Sequence, residues 1–140
     1  MTRSRDASPF IKVRRDHSTE TAEDYVEAIA EILDRDGECR VRDLARHMGV
    51  SHVTVTRIVA RLAEARLVET RPYRPIQLTL NGRRLAEACR ARHELVLSFL
   101  LRIGVPEDAA RRDAEGIEHH VGEKTLACMR RFVENHGVTT

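Results

Sequence analysis

Apolar side chains at Ala22, Tyr25, Val26, Ile29, Ile32 and Leu33 recur three and four residues apart, the spacing that lines one face of an α-helix. Ser18 or Thr19 can cap this segment and Gly37 stops it, so the pattern predicts a helix over 18–36. Val41, Leu44, Ala45 and Met48 predict a short second helix, ended by Gly49 where a left-handed residue is wanted. After the tight "GVS" link, "SHVTVTRIVARLAEARL" reads as a third helix with Val55, Ile58, Val59 and Leu62 on its apolar face. "LVETRPYRPIQLTL" is two short β-prone runs around a Pro72–Pro75 turn, hence a small hairpin. A long helix follows from Leu80 to about Ile103, apolar through Leu85, Val96, Phe99, Leu100 and Ile103. Pro106 opens the next helix, expected to reach about Val121. Gly122 separates it from a last helix over about 123–135, closed by Gly137. Residues 1–17 show no sustained period and are broken by Pro9, which predicts a basic, poorly ordered arm.

Helix, short helix, turn, helix, hairpin is the order of a winged helix-turn-helix, and the short link is what fixes the crossing angle of its two central helices. The fold class expected is therefore mainly α. The arm occupies 1–17, the winged helix-turn-helix 18–79, and a helical second domain 80–140. Composition agrees: 41% of the 140 residues are apolar but only 4% aromatic, with no Trp, which favours aliphatic packing between helices. No run approaches the roughly 20 apolar residues of a membrane span, and the first residues lack an apolar signal core. Three cysteines, odd in number and widely spaced, point to a reduced, cytoplasmic chain.

The net charge of +2 conceals strong segregation. Residues 17–36 carry seven acidic side chains against one basic; residues 37–75 carry eight basic against four acidic. An acidic helix beside a basic module implies a cation for one and a polyanion for the other. On the third helix Thr54, Arg57 and Arg61 oppose the core stripe, with Thr56 beside them. Ser51, His52 and Val53 stand at its N-terminal end, which in this motif points at base edges. Arg71 and Arg74 flank the wing turn, and Arg42 lies on the preceding helix. Each arginine alone is equally a solvated surface residue; the motif order and the net positive charge together point to double-stranded DNA. Specific reading of DNA usually takes two half-sites, so a homodimer is expected.

In "DAEGIEHHVGE", Glu115, Glu118 and His119 fall at i, i+3, i+4 and project from one face of the helix, while His120 turns about 100° away. A solvated acidic face and a metal site both fit that spacing. Further positions bear on the choice. "AEDYVEAI", "RHELVLSFL" and "VPEDAARRDAEGIEHH" make residues 20–136 resemble the metal-dependent repressors related to the diphtheria toxin repressor, most closely their short manganese-sensing branch. The resemblance implies a ligand set of Asp24, Glu27, His93, Glu115, Glu118 and His119, each of the expected type. It also implies an 80–140 domain that binds metal and dimerises, and a repressor of manganese uptake genes switched on by Mn²⁺ bound between the two lobes. Iron-sensing relatives tend to carry Met at the position of Asp24 and Cys at that of Glu115. Four carboxylates and two imidazoles suit Mn²⁺, with Fe²⁺ the alternative, and their charge of about −4 would balance two divalent ions. The end at Thr140 leaves no room for the SH3-like domain of longer members. A di-metal carboxylate enzyme is the competing class; it would need an open coordination position and a substrate pocket, and would leave a basic winged helix unused. The chain is expected not to be an enzyme.

Overall fold

The computed structural model describes the backbone of residues 8–136 and side chains from residue 19 onward. Among the described residues six helices and one two-stranded sheet run in the order α1 (Ser8–Asp36), α2 (Val41–Met48), α3 (His52–Glu64), β1 (Val68–Glu69), β2 (Gln77–Leu78), α4 (Leu80–Arg102), α5 (Glu107–Ile117) and α6 (Glu123–Asn135). They form two compact units, Met1–Glu87 and Ala88–Thr140, with α4 contributing to each.

Two boundaries differ from the sequence expectation. Helix α1 begins at Ser8, so residues 8–17 are helical rather than an irregular arm. Pro9 lies in the first turn, where its missing N–H deprives no carbonyl of a helical partner, so it does not mark an end. Residues 1–7 of the expected arm, and Gly137, lie outside the described residues. Helix α5 stops at Ile117 instead of about Val121, leaving Glu118, His119 and His120 in a turn.

The first unit is a winged helix-turn-helix. Its core holds Val26, Ile29 and Ile32 of α1 with Leu44 of α2, Val55, Val59 and Leu62 of α3, and Val68, Ile76 and Leu78 of the wing. Arg40 N–H donates to Asp43 Oδ2 at 2.9 Å to start α2, and Gly49 ends it in the left-handed region at φ 68°. Ser51 caps α3, accepting from Thr54 N at 3.2 Å. The wing strands pair antiparallel, Val68 opposite Leu78 facing inward and Glu69 opposite Gln77 facing out. Ile76 N–H donates to Cys39 O at 2.7 Å, tying the α1–α2 link to the wing.

The second unit packs Val96 and Leu100 of α4 against Ala110 and Ala114 of α5 and Leu126 of α6. Gly104, at φ 100°, takes the left-handed turn that reverses the chain between α4 and α5. An edge-to-face pair, Phe99 with Phe132 at 5.4 Å, joins α4 to α6. Among the described residues no helix is long and apolar enough to cross a membrane.

Candidate functional site

In the second unit three of the expected metal ligands meet. His93, on α4, puts Nδ1 2.9 Å from Glu118 Oε2; His119 puts Nε2 3.4 Å from Glu118 Oε1. The carboxylate is 3% exposed and the His119 side chain 2%. Glu118 is buried because Ala110, Ala114 and Glu118 continue one stripe of α5 at four-residue steps, beyond the last regular turn. Arg92 holds that helix end, donating from Nη1 to the Glu118 carbonyl at 3.2 Å. A carboxylate this far from water needs partners in hydrogen-bond reach, and two imidazoles supply them. Oxygen and imidazole nitrogen donors arranged this way can exchange protons for a divalent cation of the Mn²⁺–Zn²⁺ series.

Glu115 departs from the expectation. It is exposed on α5 and takes no part in the contacts among His93, Glu118 and His119. The reason is the same stripe: Glu115 follows Ala114 by one residue and is rotated about 100° off the buried line. Since α5 ends at Ile117, Glu115, Glu118 and His119 are not three residues of one regular helical face.

In the first unit Asp24 and Glu27 are half-buried on α1, three residues apart. Burial first, and then the Asp24 carboxylate, pushes the Tyr25 phenol up from its ordinary value. Pattern reading missed Glu23, a carboxylate only 4% exposed beside Asp24. Its signal was weak: on the helix it lies between Glu20 and Glu27, one more acid in an acidic stretch. Below this group His47 Nε2 approaches Glu31 Oε2 at 3.4 Å, linking α2 to α1.

The cationic side of the first unit lies at α3 and the wing. Ser51, His52, Val53, Thr56, Arg57 and Arg61 are exposed along α3, and Val53 is exposed to 68% although it is apolar. Thr54 is partly covered, its hydroxyl 3.0 Å from Ser51 Oγ, so these two residues build the helix start as well as face solvent. Arg42, Arg71 and Arg74 are exposed too. A recess of about 420 Å³ runs between the start of α3 and the wing, with Arg40, Arg42, His52, Arg71 and Arg74 in its lining. Free N–H groups at a helix start beside a row of guanidiniums suit a phosphate backbone.

Comparison with known proteins matches a family to each part of the chain. Residues 17–76 match the family described as "Iron dependent repressor, N-terminal DNA binding domain", and residues 79–138 match "Iron dependent repressor, metal binding and dimerisation domain". The transcriptional regulator MntR of Escherichia coli O6:H1 is 46% identical over 128 residues, 91% of this chain and 83% of that protein. The MntR of Salmonella typhimurium is 42% identical over 130 residues, 93% and 83% of the two chains. A solved structure described as a manganese-dependent transcriptional repressor in complex with manganese superposes with a TM-score of 0.70 at 30% identity. That match covers 81% of this chain and 52% of the other, so the chain spans about half the length of that structure. With a winged helix-turn-helix bearing the cationic face and a second unit gathering buried imidazoles around a carboxylate, the chain belongs to the iron-dependent repressor family, that of metal-dependent, DNA-binding transcriptional repressors rather than enzymes.

Proposed function

We propose that this chain is a manganese-responsive repressor: a cytoplasmic homodimer that binds operator DNA when loaded with Mn²⁺ and silences genes for manganese uptake. The observation that carries the reading is the buried cluster of His93, Glu118 and His119, a donor set of carboxylate and imidazole with no thiolate. The description of one solved relative as a manganese-dependent repressor in complex with manganese supports the choice of ion. Asp24 and Glu27 of the DNA-reading unit, with His93, Glu115, Glu118 and His119 of the second unit, are the ligand set we assign, enough for two ions. Mn²⁺ held by these residues would supply the positive charge that neutralises their carboxylates and would tie together the segments bearing them. Glu115 enters this set by the resemblance alone, its side chain being exposed on α5.

The residues then act as a restraint. Ligation by residues of both segments would narrow the motion of a reading head, and a dimer would hold two heads near the spacing of successive major grooves, about 34 Å. His52, Val53, Thr56 and Arg57 read base edges, while Arg42, Arg61, Arg71 and Arg74 hold phosphates, with Ser51 and Thr54 shaping the helix start. Coupling between metal and DNA of about 1–3 kcal/mol is typical, and bound DNA must tighten metal binding by the same factor. The test is a titration of Mn²⁺, Fe²⁺ and Zn²⁺ against a labelled duplex selected in vitro, with metal content measured on the same protein. Duplex affinity independent of Mn²⁺ would sink the switch; a stronger response to Fe²⁺ would reassign the ion.

A further inference from the structure

The wing carries a residue that the fold does not explain. Tyr73 is 100% exposed and sits at φ 62°, the left-handed region where a bulky side chain is disfavoured. Arg74 N–H donates to Arg71 O at 3.1 Å, closing a four-residue turn with Pro72 second and Tyr73 third. That is the pattern of a type II turn, whose third position ordinarily takes Gly or Asn. Glycine would be easier on the backbone here, and the tyrosine ring gives the core nothing in return. A residue kept in an unfavourable conformation, with a large apolar surface in water, points to use outside the fold.

The surroundings indicate what it meets. Pro72 and Pro75 stiffen the loop, and Arg40 Nη1 donates to the Tyr73 carbonyl at 3.4 Å, bracing the tip against the start of α2. Arg71 and Arg74 stand on either side, both exposed. Tyr73 also lines the recess shared with His52 and Thr56 of α3, so ring and reading helix belong to one continuous face. A polyanion covers that face by charge, and an aromatic ring between two arginines fits a narrow groove walled by sugars and phosphates.

We propose that Tyr73 is the groove-contacting residue of the wing: its ring packs against deoxyriboses of the DNA minor groove flanking the α3 contacts, while Arg71 and Arg74 hold the adjacent phosphates. This rests on the DNA-binding reading above and adds a contact that shapes affinity without a base-specific hydrogen bond.

The chain offers its own probe, since it has two tyrosines and no tryptophan, and Tyr25 is only 4% exposed. Tyrosine emission is followed while the Mn²⁺-loaded protein is titrated with a duplex recovered by in vitro selection on the wild type. Wild type and Tyr25→Phe are expected to lose emission on binding, and Tyr73→Gly to show no change. Glycine suits φ 62°, so Tyr73→Gly keeps its melting temperature yet binds about tenfold or more weakly, the scale of burying one aromatic side chain. Hydroxyl-radical protection of sugars flanking the site disappears in the same variant, and Tyr73→Phe retains both affinity and protection. Unchanged affinity and protection in Tyr73→Gly overturn this assignment, as does loss of both in Tyr73→Phe, which would place the contact on the hydroxyl. Failure of the wild type to bind any selected duplex instead overturns the DNA reading itself.

Discussion

Replacing Gly82 by alanine is expected to destabilise the first unit, opposite in sign to the usual effect of that substitution in a helix. A helical Gly→Ala change ordinarily gains up to about 1 kcal/mol. Gly82, in the first turn of α4, lies against the strand that enters the wing. A Cβ there would stand 3.0 Å from the Leu67 carbonyl carbon and 3.1 Å from Leu78 Cδ2, and closer still to the Leu67 carbonyl oxygen. Carbon contacts are comfortable at about 3.5–4.0 Å. The leucine methyl can swing away, but the carbonyl cannot: it accepts from Thr79 N–H at 3.1 Å. Thr79 in turn receives Gly82 N–H on its hydroxyl at 3.0 Å and donates that hydroxyl to Arg66 O at 2.6 Å. Relieving the clash therefore shifts the helix start off the wing. Overpacking costs about 1–3 kcal/mol, and loosening one hydrogen bond costs about 1 kcal/mol more. Against the helical gain, a net loss of about 1–3 kcal/mol remains. Urea unfolding followed by circular dichroism measures it. Gly116 in α5 is the internal control, because a Cβ there meets nothing within 4 Å; Gly116→Ala is expected to hold or gain stability. If Gly82→Ala proved neutral or stabilising, the close approach of α4 to the wing would be refuted.

Four other outcomes are expected. Leu44→Ala, at a fully buried position, costs the first unit about 2–5 kcal/mol in urea unfolding, and a loss below about 1 kcal/mol would deny it a place in the core. Burial first, then Asp43 and Asp36, pushes the Cys39 thiol from 9.0 to about 11, so the folded state favours its neutral form. The stability this confers is full below about pH 9 and is lost as pH rises through about 11; the wild-type advantage over Cys39→Ala should shrink across that window, and a flat difference would contradict it. Glu118→Gln leaves the helical content intact while lowering Mn²⁺ affinity at least about tenfold by calorimetry; wild-type affinity would remove Glu118 from the ligand set. Arg61→Ala reduces the magnitude of the slope of log affinity against log salt by about 1, and an unchanged slope would show that Arg61 neutralises no phosphate.

The helices were legible because each buries one apolar stripe, and the stripe alone places Ile29, Leu44, Val59 and Val96 in the interior. The end of α5 was not legible in the same way. "EGIEHHVGE" keeps helical spacing and helical propensity past Ile117, and nothing local marks the stop before Gly122. The consequence falls on the site: Glu118 joins His93 by following the alanine stripe, while Glu115, equally acidic and three residues earlier, stays in water. Spacing told which residue types were gathered; burial decided which of them meet. The early start of α1 escaped notice because Pro9 was read as a break, although a first-turn proline costs a helix nothing.

Departures from local rules are concentrated where the core has no use for them. Val53 is an apolar side chain left in water on α3, Tyr73 an aromatic in a glycine conformation on the wing, and Glu118 a carboxylate without solvent. A sequence selected only for stability would remove all three, with a polar residue, a glycine and an apolar residue respectively. The first two lie on the same cationic face of the first unit, and the third lies among imidazoles in the second. The first unit thus carries two misfits matched to a polyanion, and the second unit one matched to a cation. Because the misfits are local, each should be removable alone: Tyr73→Gly leaves Mn²⁺ affinity in the absence of DNA unchanged, and Glu118→Gln leaves residual metal-independent DNA affinity unchanged. The link between metal and DNA is therefore measured by a double-mutant cycle in the coupling energy rather than in either affinity.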